Sequence, residues 1–155
     1  MNGITELRVT DDVVLITFHN LAGNSTAIAH VLDRFAKAKL NIDMISQSAP
    51  QGGDFSLSFT AMGKDLQDIL VLSGEVKKEH PQIKMMVSSG HSKILLYGEE
   101  MKELYGVASS VFTVLGGIDA EILMITTSET EISLLLMQHD VDEAETALKK
   151  AFQIA

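Results

Sequence analysis

An internal repeat constrains this chain more than any other feature of its sequence. The segment VLDRFAKAKLNIDMISQS, which starts at Val31, aligns without gaps with VFTVLGGIDAEILMITTS, which starts at Val111, 80 residues later. Five aligned positions are identical, and conservative pairs such as Phe35 and Leu115 extend the match. Self-similarity at a fixed shift is typical of a supersecondary unit that is used twice. The repeat therefore predicts two copies of a helix followed by a strand.

Both copies show the same order of predicted elements, strand, helix, strand, strand and helix. Apolar runs of strand length, VVLITF and KILLY, open the two copies, and a helical spacing of apolar residues follows each run. The alternating segments FSLSFT and EISLLLM predict the third element to be a strand, and the intervening APQGGD predicts a hairpin loop. The strands that follow the first helix of each copy are predicted at 42–46 and 122–126. The closing helices are predicted at 64–79 and 140–151.

The ends of the chain indicate how the two copies are connected. The first copy has a further strand-like segment from Gln82 to Val87, whereas the second copy stops at FQIA. The segment ITELRV, Ile4–Val9, is strand-like and stands outside both copies. We predict that a strand at 3–9 completes the second unit, 90–155, and that the first unit, 10–89, is inserted between these two parts. The fold class is then α+β, with two ferredoxin-like βαββαβ units, each an antiparallel four-stranded sheet with its helices on one face.

Composition and motifs exclude several classes of function. A formal net charge of −9 disfavours nucleic acid and membrane surfaces as partners, and the absence of cysteine excludes thiolate metal sites. The five histidines are scattered, so we expect no metal site. The chain has no apolar run of membrane-helix length and no signal-peptide core, which predicts a cytoplasmic location. Phosphate-loop, HExxH and GxSxG motifs do not occur, so we expect neither catalysis nor a cofactor.

The stretch LNIDMISQS places Asn41, Asp43 and Gln47 among apolar residues where a helical pattern gives way to a strand. Its counterpart 80 residues later, AEILMITTS, keeps the apolar strand positions and loses all three polar residues. Packing therefore explains the apolar positions and does not require the polar ones. Two interpretations follow: an exposed link that is polar because it faces solvent, and a binding site.

The paired motifs NIDMISQ and TSETEISLLL, together with the closing EAETALKKAF, resemble the tandem ACT regulatory region of aspartate kinases. The resemblance covers roughly Ile4 to Ala155. It implies a regulatory module that binds a feedback amino acid, lysine, threonine or both, between ACT units, and that forms a homodimer through its ACT sheets. It also implies that the kinase catalytic domain lies upstream in the parent protein and is absent from this segment, which would then phosphorylate nothing.

The resemblance further implies where the effector binds. In the family, the loop before the first helix meets the start of the second strand across an ACT-to-ACT interface. Backbone N–H groups at a helix N-terminus suit the carboxylate of an amino acid, and side-chain oxygens suit its ammonium group. The effector-binding residues that we expect are Asn20, Gly23, Asn24, Ser25, Thr26, Asn41, Ile42, Asp43 and Gln47.

The sequence departs from the family pattern in both copies. GNST stands where the family usually has an Asp-x-Pro-Gly-like turn, and Tyr105 occupies the second copy's position where proline is common. Glu121 replaces the usual asparagine at the equivalent of Asn41, and it would repel a ligand carboxylate. The first copy is therefore the better candidate site. The departures leave two alternatives: a structural dimerisation module without ligand, and a free-standing ACT protein that regulates another partner.

Overall fold

A computed structural model describes residues 2–23 and 25–155. Its strands in this part of the chain are β1 (Glu6–Ala22), β2 (Ile45–Gln47), β3 (Asp54–Met62), β4 (Lys84–Tyr97), β5 (Ile122–Thr127) and β6 (Glu131–Met137). Its α-helices are α1 (Ser25–Lys37), α2 (Leu66–Glu79), α3 (Val107–Gly117) and α4 (Val141–Phe152). Short 3₁₀ turns occupy Gly63–Asp65, Glu99–Lys102 and Gln138–Asp140.

The chain divides into two units, each with four strands and two helices. The first unit is Asp12–Gly90, and the second unit combines the residues up to Asp11 with His91–Ala155. Strand order is β2-β3-β1-β4 in the first unit and β1-β4-β6-β5 in the second. The pairs β1–β3, β2–β3, β4–β6 and β5–β6 are antiparallel. The α+β fold with the first ferredoxin-like unit inserted into the second is confirmed.

Two long strands replace four of the short strands that the sequence predicts. The predicted strands at 4–9 and 13–18 are both parts of β1, and those at 82–87 and 93–97 are both parts of β4. The polar stretches TDD and SSGHS separate the apolar runs and so mimic loops in the sequence. The backbone nevertheless continues as strand, with a positive φ of 56° at Asp12 and 78° at Gly90 where the chain passes from one unit to the other.

The segments that lead into α1 and α3 differ in local structure. Ser25 and Thr26 form the first turn of α1, and Asn24 lies outside the described residues. The acidic stretch after Gly98 forms a 3₁₀ turn, in which the N–H of Met101 donates to the Gly98 carbonyl at 3.1 Å.

The strand β2 is shorter than the predicted range 42–46. Only Ile45–Gln47 forms regular strand, although the Asp43 N–H still donates to the Thr60 carbonyl at 3.1 Å. The hairpin loop and the strand β3 that follow β2 are as predicted. The APQGGD segment closes a hairpin, with a positive φ at Gly52 and Gly53, and Phe55, Leu57 and Phe59 of β3 are buried on one face.

The repeat extends to the backbone at the ends of α1 and α3. Lys39 and Asp119, which are 80 residues apart, both have positive φ, 59° and 54°. In each copy the next residue donates its N–H to the carbonyl five residues back, at 3.0 Å in the first copy and 3.2 Å in the second. This is the Schellman pattern, which satisfies a carbonyl at the helix end and turns the chain toward the following strand.

Each unit has its own hydrophobic core. In the first unit the rings of Phe18, Phe35 and Phe59 form a triad with centroid separations of 4.8 to 6.4 Å, two contacts edge-to-face and one stacked. The second core is mostly aliphatic and includes Leu115, which aligns with Phe35 in the repeat.

The N-terminal segment belongs to the second unit. Ile4 is 1% exposed and lies in the second core, and the Thr5 N–H donates to the Tyr97 carbonyl at 2.8 Å. At Gly98, an added Cβ would stand 1.6 Å from the Gly3 carbonyl oxygen, so only glycine permits this close approach of backbone to backbone. Residues 3–5 are therefore packed within the second unit.

Candidate functional site

A cavity of about 430 Å³ lies in the first unit, bordered by the end of β1, by α1 and by the segment that joins α2 to β4. Part of its lining is apolar: Leu21, Ala22, Ala27, Val31, Val76 and Ile83. The rest consists of Gly23 and polar or charged residues: Asn20, Thr26, His30, Arg34, Glu79, His80 and Gln82. Its volume is in the range of small-molecule sites, and a mostly apolar lining with a few polar groups is typical of them.

The backbone at the end of β1 forms one wall of this cavity. Asn20 has a φ of 63°, and the pairing of β1 with β3 shifts register between Phe18 and Leu21. Gly23 has a φ of 103°, and an added Cβ there would meet nothing within 4 Å. Asparagine and glycine are the residues that most readily adopt these conformations. They allow the chain to leave the sheet and enter α1 beside the cavity.

Two opposite charges from different helices lie side by side at the cavity wall. The Arg34 guanidinium on α1 donates two hydrogen bonds to the Glu79 carboxylate at the end of α2, one of them at 3.0 Å from Nη2 to Oε1. Glu75 approaches the same guanidinium at 3.7 Å. Hydrogen bonding to Glu79 raises the pKa of Arg34, and the same contact lowers the pKa of the Glu79 carboxyl. Both groups therefore stay charged at neutral pH.

A second, more open cavity of about 490 Å³ lies on another side of α1. Its lining includes Asn41 and Ile42 together with Leu32, Ala36, Lys39, Leu40 and Ile45. Farther along the chain, Asp43, Ile45 and Gln47 are exposed, whereas Met44 is buried. Asp43, two residues before β2, and Gln47 at its end are thus both exposed.

The structure distributes the expected effector residues over several places in the first unit. Asn20, Gly23 and Thr26 line the 430 Å³ cavity, and Asn41 and Ile42 line the 490 Å³ cavity. Ser25 borders a shallow groove on the exposed side of α1, and Asp43 and Gln47 are exposed on the strand. Asn24 lies outside the described residues. The 430 Å³ cavity and the 490 Å³ cavity share no lining residue, so these loop residues and strand residues line different cavities.

The charged pair at the cavity is what sequence reasoning missed. Arg34 follows Val31 by one helical turn, which makes it a flanking residue of the apolar stripe. Glu79 is an acidic residue at the C-terminal end of a helix, where the helix dipole disfavours a carboxylate. A carboxylate in that position indicates a cationic partner. The sequence therefore holds a signal for the pair, although not for the partner's identity.

The second unit differs at the equivalent of Asn41. Glu121 is exposed, and its backbone N–H donates to the Asp140 Oδ2 at 2.9 Å. Two carboxylates therefore belong to this helix-to-strand link, which disfavours an anionic ligand group. Among the described residues, no helix has both the length and the apolar content of a membrane span, and no three His, Cys, Asp or Glu side chains cluster as metal ligands would.

Comparison with known proteins gives consistent matches. The ACT domain family model matches residues 94–152. The aspartokinase of Bacillus sp. (strain MGA3) is 26% identical over 145 residues, which are 94% of this chain and 35% of that protein. The chain thus spans about a third of the length of this curated relative.

Solved structures resemble the chain over nearly its whole length. The regulatory subunit of aspartate kinase from Thermus thermophilus, in its ligand-free form, has a TM-score of 0.86 and 22% identity, and the match covers 97% of this chain and 99% of that one. E. coli aspartokinase III in complex with lysine and aspartate, in the T-state, has a TM-score of 0.69 and 21% identity, covering 98% of this chain and 33% of that one. The predicted resemblance is confirmed.

Proposed function

We propose that this chain is a tandem ACT regulatory region of an aspartate kinase, controlled by a feedback amino acid. The observation that carries the proposal is the contrast between the two copies of the repeat. Both copies keep the fold, but only the first places Asn41, Asp43 and Gln47 at the start of its second strand, where all three are exposed. The similarity to an E. coli aspartokinase solved with lysine bound supports the same conclusion.

The proposed ligand is lysine, threonine or both. Its carboxylate would accept hydrogen bonds from backbone N–H groups in the first turn of α1, at Ser25 and Thr26. Its ammonium would donate to the side-chain oxygens of Asn41, Asp43 and Gln47. Thr26 and Asn41 line separate cavities of the first unit, so we propose that an ACT unit of a second copy completes the site.

The requirement for another ACT unit supports a homodimer that forms through the sheets. β2 is an edge strand of the first unit's sheet, and β5 is an edge strand of the second unit's sheet. Ile45 on β2 and Ile125 on β5 are 47% and 45% exposed and occupy equivalent positions of the repeat. An edge strand with an exposed isoleucine is a surface that pairing with another copy would cover.

The proposal also requires a kinase catalytic domain as partner, because the chain matches about a third of the curated relative. That domain could belong to the same polypeptide or to a separate subunit. A kinase coding sequence in the same reading frame or in a neighbouring gene would support the assignment. Its absence from both places would instead favour a free-standing ACT protein that regulates another partner.

Calorimetric titration of the full chain with lysine and threonine tests ligand binding. We expect at least one of them to bind and to raise the melting temperature. Asn41→Ala should weaken that binding about tenfold, because a hydrogen bond to the ammonium is lost, and should leave the circular dichroism spectrum unchanged. Glu121→Ala, at the equivalent position of the second unit, is the matched control and should keep the affinity.

Failure of every amino acid to bind would contradict ligand sensing by this chain. A dimer that light scattering shows to be indifferent to all amino acids would favour the structural dimerisation module. The lost Pro-Gly turn and Glu121 are the sequence features that keep this alternative open.

A further inference from the structure

We infer that the 430 Å³ cavity of the first unit is a second ligand site, one that takes an α-amino acid with an aliphatic side chain. This site shares Thr26 with the proposed lysine and threonine site, but it uses Arg34 and Glu79 and none of the strand residues Asn41, Asp43 and Gln47. The inference rests on the volume, the apolar lining and the charge arrangement of the cavity, so it stands independently of the proposed function.

The volume and the apolar lining fit an aliphatic side chain. The cavity of about 430 Å³ has room for about fourteen water molecules at their share of liquid volume, which exceeds the nine non-hydrogen atoms of leucine. Leu21, Val31 and Val76 are each less than 10% exposed, and they contribute to the lining together with the partly buried Ile83. An aliphatic side chain placed there would remove apolar surface from water on both sides of the contact, at about 25 cal/mol per Å².

The charges fit the other end of an amino acid. Arg34 offers a planar pair of donors that suits a carboxylate, and Glu79 offers an acceptor for an ammonium group. In the structure these two side chains are bonded to each other, so a zwitterion can exchange their mutual contact for one contact with each of its own charges. Each charge of the zwitterion and of the cavity then has a partner of opposite sign, and no charge is left unpaired.

The same charges select among amino acids. Glu79 is the only carboxylate among the residues that line the cavity in the described part of the chain, and Arg34, His30 and His80 are the other titratable side chains there. Glu75, which approaches Arg34 at 3.7 Å, lies outside this lining. A lysine side chain would bring a second ammonium group with no second carboxylate to receive it, at a cost in desolvation. The cavity should therefore prefer leucine, isoleucine, valine or methionine to lysine.

The second unit indicates that the fold itself does not need these charged groups. Val114 occupies the repeat position of Arg34 and packs against the second core, and Ser110 occupies the position of His30. An exposed ion pair between two helices adds little stability, typically about 0–1 kcal/mol. Arg34 could still act only as such a tether, so the experiment must separate binding from tethering.

The test is calorimetric titration and thermal-shift measurement of the full chain with leucine, isoleucine, valine and methionine. We expect one or more of them to bind and to raise the melting temperature. For the preferred aliphatic amino acid, the matching carboxylic acid without the amino group and the matching amine without the carboxylate should each bind at least about tenfold more weakly. No binding of any of the four amino acids at millimolar concentration would overturn the inference.

Variants assign the site. Arg34→Met and the near-isosteric Glu79→Gln should each weaken aliphatic amino-acid binding about tenfold or more. Lys37→Met is the matched control, because it breaks the exposed Lys37–Asp33 pair on the same helix, and Lys37 is not part of the cavity lining. If Arg34→Met does not fold, Glu79→Gln alone decides. Unchanged binding of the aliphatic amino acid by a folded Arg34→Met or Glu79→Gln variant would overturn the inference.

The two proposals fail in distinguishable ways. Asn41→Ala should weaken lysine or threonine binding and leave leucine binding intact, whereas Arg34→Met should do the reverse. Aliphatic binding that is lost in Asn41→Ala and kept in Arg34→Met would overturn the second site and leave the proposed function standing. Aliphatic binding without any lysine or threonine binding would support the second site alone.

Discussion

The two units share one fold and differ in the side chains that form their cores. The first unit packs an aromatic triad of Phe18, Phe35 and Phe59, and a cavity with a charged pair lies beside its helices. The second unit has Leu115 at the repeat position of Phe35 and an apolar Val114 at that of Arg34, and both contribute to its core. The apolar pattern that the copies share specifies the fold, and the polar residues that they do not share are where we propose that ligands bind.

The segments that precede the first helix of each unit show the same difference. In the first unit Asn20 and Gly23 have positive φ and border a cavity. In the second unit the corresponding segment forms its own 3₁₀ turn, where Glu99 bonds to Lys102, and Met101 packs against the core. This difference is consistent with the effector site that we propose in the first unit.

Deletion of residues 1–9 should have the largest effect, and the effect should be confined to the second unit. The deletion removes the buried Ile4 and the hydrogen bond from Thr5 to Tyr97, so the second unit should lose at least about 5 kcal/mol. Hydrogen exchange should show lost protection in β6 and α4. Deletion of residues 1–2 alone is the control and should preserve protection; an unchanged melting temperature after the longer deletion would contradict the shared strand.

Gly98→Ala tests the same contact with one methyl group. Because the new Cβ would stand 1.6 Å from the Gly3 carbonyl oxygen, the N-terminal segment must shift, at a cost of about 3 kcal/mol in unfolding free energy. Urea denaturation measures the change. Gly116→Ala in α3 is the matched control, since its Cβ would meet nothing within 4 Å, and alanine should stabilise the helix by up to about 1 kcal/mol. Equal effects of the two substitutions would argue against the close backbone approach.

Phe35→Leu places the second unit's residue in the first unit and so sharpens the comparison of the cores. The substitution removes two aromatic contacts, to Phe18 and Phe59, and leaves unfilled volume, so we expect a loss of about 2 kcal/mol in unfolding free energy. Thermal denaturation measures the total, and hydrogen exchange should locate the loss in β3 and α1. A loss below about 0.5 kcal/mol would mean that the first core tolerates an aliphatic interior as well as the second does.

Much of the fold could be predicted because the repeat and its apolar periodicity are local signals. The spacing from Val31 to Phe35 gives α1, and the alternation in FSLSFT gives β3 with its buried face. Strand continuity could not be predicted, because Asp12 and Gly90 lie in polar segments that resemble loops, and the long strands depend on partners distant in the chain.

The candidate site could be predicted only in part. The polar residues Asn41, Asp43 and Gln47 were identified by comparison of the two copies, and the structure finds them exposed. The cavity beside Arg34 and Glu79 could not be predicted, because it depends on how the ends of two helices 45 residues apart meet. Periodicity indicates which face of a helix is buried and not where the packing leaves a void.

The smallest expected effect is a pH dependence of the unfolding free energy. It comes from His91, the first residue of the segment His91–Ala155 in the second unit. His91 is 3% exposed, and burial lowers the pKa of its imidazole below the ordinary value of 6.5. Below pH 6.5 the unfolded chain binds a proton at this position that the folded chain does not yet bind. The unfolding free energy therefore has its full value above pH 6.5 and decreases as the pH falls through the pKa of the folded state.

Urea denaturation between roughly pH 7.5 and pH 5.5 measures this decrease, because carboxylates contribute mainly at lower pH. His91→Gln should flatten the profile in that window, since glutamine does not titrate, even if it lowers stability at every pH. If His91→Gln keeps the wild-type slope, other groups cause the acid sensitivity. The difference between the two units would then not extend to their pH dependence.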